Sequence, residues 1–150
     1  MGYRSDVRFA VAFNDEHTRN EVMAVYSMHP LVQEHNVAKD WVPRTVQVYA
    51  WRENSENEVP LYLLTYAEEQ VKWYDTYEDV QAVEYMKHLC FKFDAERESF
   101  HYAYKFVRCG EEVEDVEISA HESAGAQGAD LADYLSESLS VRVEIVSDFD

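Results

Sequence analysis

Nine carboxylates in the C-terminal part of the chain are the residues best placed to do chemistry by charge. Glu111, Glu112, Glu114, Asp115 and Glu117 form one run, and Asp130, Asp133, Glu137 and Glu144 follow as a second row. From Glu111 to Asp150 there are 12 acidic residues against the single base Arg142, a net −11 of the chain's total −17. Duplex DNA carries one charge per about 1.7 Å of axis, so eleven carboxylates on rigid elements match about five or six base pairs. Such an array could occupy the basic groove of a nucleic-acid-handling protein as a decoy, driven by release of counterions from the target. The plain alternative is a solvated acidic face that keeps the protein soluble.

Other chemistries find less support. Cys109 beside Gly110 could act as a nucleophile with His101 as its base, but Glu111 and Glu112 next door disfavour a thiolate. His29, Glu34 and His35 lie close in sequence, and His121 adjoins Glu122, yet neither group has HExxH or another ligand spacing. No DxDxDG calcium loop is present, and four glycines leave little material for a phosphate cradle. The expectation is a non-enzymatic binding protein with no catalytic residue, no metal and no cofactor.

Composition bounds the class. A chain of 150 residues is the size of one domain, and 47% hydrophobic residues with 11 Tyr, 7 Phe and 3 Trp can fill a core despite the charge. No apolar run approaches 18 residues and no signal peptide is visible, so a cytoplasmic location is expected. Cys90 and Cys109 have no CxxC spacing and are expected as reduced thiols. A chain this acidic is repelled by nucleic acid and by anionic membranes, which leaves basic proteins as the expected partners.

The elements that must position these groups follow from periodicity. Tyr3 to Phe13 alternates Val7, Phe9, Val11 and Phe13 against Arg8, Ala10 and Ala12, a strand with one bulky and one small face. Asn14 or Asp15 can cap a helix running toward His29, which Pro30 ends or bends, and Leu31 to Lys39 can add a further helical turn. Thr45 to Trp51 alternates again. Glu53 to Glu58 reads as a hairpin loop leading to a strand from Val59 to Tyr66 that is apolar on both faces and therefore central. Thr76 and Asp79 make an approximate capping box for a helix burying Val80, Val83, Met86 and then Leu89 or Cys90. That helix fades over Asp94 to Ser99.

Phe100, Tyr102, Tyr104 and Phe106 then alternate along an aromatic strand, Cys109-Gly110 turns the chain, and Glu111 to Ser119 returns as an acidic strand. Ser123 to Gly128 is a flexible link, Asp130 to Leu139 a short helix and Val141 to Ile145 a last strand, before a tail at Ser147 to Asp150. Strand, helix, strand, strand, helix, strand is the split βαβ order of ferredoxin-like folds. The expected architecture is therefore one α+β domain, with a ferredoxin-like core over residues 1–110 and an acidic extension over 111–150.

An aromatic strand in such a sheet invites comparison with RNA-recognition folds, but Lys105 and Arg108 are nearly the only bases near these rings. The rings either pack under the helices or meet the same face of a second subunit, so a homo-oligomeric structural or small-ligand module stays open beside the acidic inhibitor. The opening Met1-Gly2-Tyr3-Arg4-Ser5-Asp6-Val7 resembles the start of small uncharacterised proteins encoded by bacterial viruses. That resemblance implies context alone: accessory proteins of this kind often bind and inhibit host machinery, in the host cytoplasm.

Overall fold

The computed structural model describes residues 3–49, 58–141 and 145–147. Among these residues twelve elements follow one another: β1 (Ser5–Phe13), α1 (Glu16–Ser27), α2 (Pro30–His35), a 3-10 turn (Val37–Asp40), β2 (Trp41–Tyr49), β3 (Glu58–Val71), α3 (Glu78–Glu96), β4 (Tyr102–Gly110), β5 (Val116–Glu122), α4 (Ala126–Ser138), β6 (Leu139–Val141) and β7 (Ile145–Ser147). The first five strands form one sheet in the order β2-β3-β1-β4-β5, with every pairing antiparallel. Among the described residues β6 and β7 pair only with each other. The fold is therefore α+β, as expected. The exact ferredoxin-like topology is not matched: the sheet has five strands in the order β2-β3-β1-β4-β5, with β5 extending it beyond β4.

The alternation in β1 sets the layers. Phe9, Val11 and Phe13 point to one face, where they meet Val22 and Tyr26 of α1, Val83, Met86 and Leu89 of α3, and Tyr102, Tyr104 and Phe106 of β4. The small side chains Ala10 and Ala12 face the other way, toward Leu131 and Leu135 of α4. The aromatic strand is thus covered by the chain's own helices: Tyr102 and Phe106 are fully buried. Leu61 and Leu63 of β3 serve one face and Leu64 and Tyr66 the other, as its two apolar faces require. β1 rather than β3 holds the middle of the sheet.

Local signals explain most helix ends. Asp15 caps α1 by accepting from the Thr18 N–H at 3.1 Å, and His29 caps α2 through Nδ1, with Pro30 at the first helical position. The Thr76–Asp79 capping box does not form; Tyr77 precedes α3 without a side-chain cap, and Asp79 instead accepts from the Val80 N–H. β2 begins four residues before the sequence pattern does, at Trp41. Pro43 is tolerated there because β2 is an edge strand. The Trp41 indole donates to the Tyr26 hydroxyl at 3.0 Å, and that hydroxyl donates to the Ala82 carbonyl at 2.8 Å. This buried chain ties β2, α1 and α3 together, and leaving either link unmade would cost about 1–3 kcal/mol. Of the expected loop at Glu53 to Glu58, residues 53–57 lie outside the described residues and Glu58 opens β3.

The other face is held at close range. α4 begins at Ala126, four residues before the sequence pattern suggests, and Gly128 faces the buried Ser123. A Cβ at Gly128 would lie 1.9 Å from the Ser123 carbonyl oxygen, which is backbone and cannot swing aside. Gly128→Ala is therefore expected to destabilise the protein by about 1–3 kcal/mol by lifting the first turn of α4 off Ser123. Urea denaturation measures it, and an unchanged midpoint would mean that α4 is not seated there.

Candidate functional site

The acidic run is not a strand from Glu111. β4 continues through Cys109 to Gly110, residues 111–115 form the turn, and β5 starts at Val116, paired with Cys109. The turn closes through Gly110 N–H to the Asp115 carbonyl at 2.8 Å and Asp115 N–H to the Glu112 carbonyl at 3.0 Å. Gly110 is needed for space rather than for bending. A Cβ there would lie 2.1 Å from Asp115 Oδ2 and 2.3 Å from the Tyr3 hydroxyl.

Two of the five carboxylates in this run are committed inward. Arg108 donates from Nη2 to Asp115 Oδ1 at 2.8 Å, from Nη1 to Asp115 Oδ2 at 3.1 Å and from Nε to Glu117 at 3.1 Å. Nη1 also reaches the Ser5 hydroxyl at 3.1 Å. Tyr3 donates to Asp115 Oδ2 at 2.7 Å and accepts from the Glu112 N–H at 3.1 Å, while Glu111 accepts from the Arg4 N–H at 2.8 Å. The N-terminal segment thus straps the hairpin to the sheet. Arg108 and the Tyr3 hydroxyl hold the Asp115 carboxyl down at about 2.

Glu111, Glu112 and Glu114 remain exposed at the turn, around Val113, which is 87% exposed. Along β5 the residues alternate: Glu117, Ser119 and His121 share the α3 side with Arg108, Phe106 and Tyr104, and Val116, Ile118, Ala120 and Glu122 share the α4 side with Cys109, Val107, Lys105 and Ala103. Val116 and Ile118 lie beyond the cover of α4 and stay exposed. The second row of carboxylates does not join the first. Asp130, Asp133 and Glu137 stand on α4, across the sheet from Glu117, and Glu144 lies outside the described residues.

The remaining candidates separate. His101 and Cys109 stand near opposite ends of β4, about 26 Å apart at strand rise, so they do not form a nucleophile and base pair. Burial first, and then Asp6, push the Cys109 thiol up. His121 meets the Tyr102 hydroxyl at 2.8 Å through Nδ1 and packs edge-on against Phe91. His29 is used as a helix cap. Glu34 and His35, at the end of α2, approach Glu78 at the start of α3, with ligand atoms of the three within 4.8 Å of one another. The sequence reading missed Glu78, which is 43 residues away from His35. It also missed Tyr3 and the clamping role of Arg108; once the turn is placed at 111–115, Arg108 falls directly across from Glu117.

No family model and no curated protein matches the chain. Among solved structures, a phage SAM lyase in the apo state is similar, at 10% identity with a TM-score of 0.41, over 84% of this chain and 94% of that one. A likeness of that size transfers neither activity nor site residues. No helix among the described residues is long and apolar enough to cross a membrane.

The depressed Asp115 carboxyl gives the hairpin an acid limit. A carboxylate whose folded pKa lies below its unfolded value adds stability that is complete above the unfolded pKa and is lost as pH falls through the folded one. Here the window runs from the ordinary 3.8 down to about 2. Hydrogen exchange at the amides of Gly110 and Asp115 is expected to lose protection across that window, after correction for the intrinsic rate. Asp115→Asn is expected to show the loosened hairpin already at pH 7; full protection in that variant would rule the clamp out.

Proposed function

We propose that the protein is a non-enzymatic acidic binding protein that takes a basic, extended segment of a partner protein along the outer edge of β5 and the turn before it. The observation that carries this is the composition of that edge. β5 ends the sheet, and among the described residues no strand pairs with its outer side. Val113, Val116 and Ile118 are exposed there among Glu111, Glu112 and Glu114. An open edge offers backbone donors and acceptors to an incoming strand, with alternate side chains giving specificity. Carboxylates around the apolar positions favour lysines and arginines on that strand.

We read β1 to β4 with α1 and α3 as a ferredoxin-like scaffold that presents this edge. A second copy of the chain is a poor occupant, because two molecules of net charge −17 would meet along acidic edges. A protein whose basic surface serves nucleic acid fits better, and occupying that surface would inhibit it. The mixture of apolar and acidic groups, and the division of the carboxylates between two sheet faces, favour strand capture over imitation of a continuous row of phosphates.

The test uses a labelled peptide alternating valine and lysine, followed by fluorescence anisotropy. Affinity is expected to fall at least about tenfold between about 50 and 200 mM salt. Glu112→Gln with Glu114→Gln, or Ile118→Asp alone, is expected to weaken binding several-fold, while Asp133→Asn with Glu137→Gln on α4 leaves it unchanged. Equal losses from the two acidic pairs would reduce the effect to net charge and overturn the proposal, as would absence of binding at low salt.

A further inference from the structure

A cleft of about 640 Å³ opens on the α3 side of the sheet, between β4–β5, the first half of α3 and the segment joining β3 to α3. Its size is that of a small-molecule site. Three aromatic side chains, Tyr3, Trp73 and Tyr74, line it, with the carboxylates of Asp75, Glu84, Asp115 and Glu117. Arg108 is the one base in the lining.

The aromatic walls are fixed. Trp73 packs on Phe106 with ring centroids 5.8 Å apart, and the Tyr74 hydroxyl accepts from the Tyr3 N–H at 2.8 Å while its ring meets Tyr77 edge-on at 5.1 Å. The Arg108 guanidinium is already engaged by Asp115, Glu117 and Ser5, so it has little to offer an anionic ligand. Glu84 is paired with Lys87 at 2.7 Å, and the Lys87 ammonium lies 4.3 Å from the centre of the Phe106 ring. Four carboxylates against these two cations leave the cleft with two negative charges, and Asp75 is exposed at its rim.

Rigid aromatic faces beside uncompensated carboxylates recognise positive charge on an apolar body. We propose that the cleft binds a small organic cation bearing an aromatic or aliphatic group, with Trp73 and Tyr74 against its apolar part and Asp75 nearest its charge. An anion is disfavoured by the same residues. The cleft is separate from the outer edge of β5, so the two sites stand or fall independently.

Calorimetric titration with benzyltrimethylammonium tests this, against neutral benzyl alcohol and anionic benzoate as partners of similar size. The cation is expected to bind and the other two to bind at least about tenfold more weakly. Trp73→Leu is expected to weaken the cation about tenfold, and Asp75→Asn, at an exposed position outside the core, about fivefold. Asp133→Asn on α4 serves as the unaffected control. Binding of benzyl alcohol or benzoate as tight as that of the cation would overturn the assignment. So would no heat from the cation up to about 10 mM, a concentration that detects even the weakest specific site, or an unchanged affinity in Asp75→Asn.

Discussion

A sheet that is apolar on both faces has to be covered twice, and the rest of the molecule answers that constraint. β1 is the strand on which it falls hardest, since it sits in the middle with Phe9, Val11 and Phe13 on one side and Ala10 and Ala12 on the other. The bulky side needs depth, which α1 and α3 supply with Val22, Tyr26, Val83 and Met86. The small side needs closeness. There Leu131 and Leu135 of α4 meet Ala103 and Val107 of β4, and the first turn of the helix is seated on the linker residue Ser123 through Gly128. Burying the aromatic rings under helices leaves Tyr102 and Phe106 with no exposed surface on that face.

At the perimeter of the sheet a single guanidinium organises the acidic part of the chain. Arg108 lies at the end of an apolar strand and receives two carboxylates from the residues that follow, while Tyr3 receives one of the same carboxylates from the beginning of the chain. The excess of negative charge in the C-terminal part is therefore not uniform surface. Some of it is internal bonding, some is presented at the turn, and some stands on α4 behind the sheet. A charge count treats all the acids alike; among the described residues the geometry assigns them different work.

The periodic parts of this fold were legible from the residues. The two faces of β1, the two apolar faces of β3, the stripe of Val80, Val83, Met86 and Cys90 on α3 and the Asp15 cap all follow from local patterns that need no partner to be interpreted. The errors fall where a distant residue decides. Gly110 looked like the turn because glycine commonly marks one, yet it is the last residue of β4, small because Tyr3 and Asp115 fill the space over it. Residues 111–115 looked like strand because Val113 sits among acids as a β pattern would have it. Their folding instead depends on bonds to Tyr3 and Arg4, more than 100 residues away. Glu34, His35 and Glu78 converge for the same kind of reason, through packing of α2 on α3. The start of α4 was displaced by four residues, as expected where helix propensity continues through small residues such as Ala126 and Ala129, and the middle of the expected last strand from Val141 to Ile145, residues 142–144, lies outside the described residues.

Arg108 also connects the two surfaces proposed for binding. Its carboxylate partners, Asp115 and Glu117, form part of the wall of the cleft and at the same time hold the turn that carries Glu112, Val113 and Glu114. A cation entering the cleft competes with the guanidinium for these carboxylates, whereas one held at Asp75 and the aromatic walls leaves them alone. In the first case occupancy loosens the hairpin, and by reciprocity a partner that orders the hairpin weakens the cation. In the second the surfaces are uncoupled. The geometry favours the second: Asp115 is held by two guanidinium bonds and a phenol, and displacing all three would cost more than one exposed ion contact returns. The clamp therefore acts as a partition between the proposed cleft and edge-strand sites, which share Arg108 and its carboxylate partners.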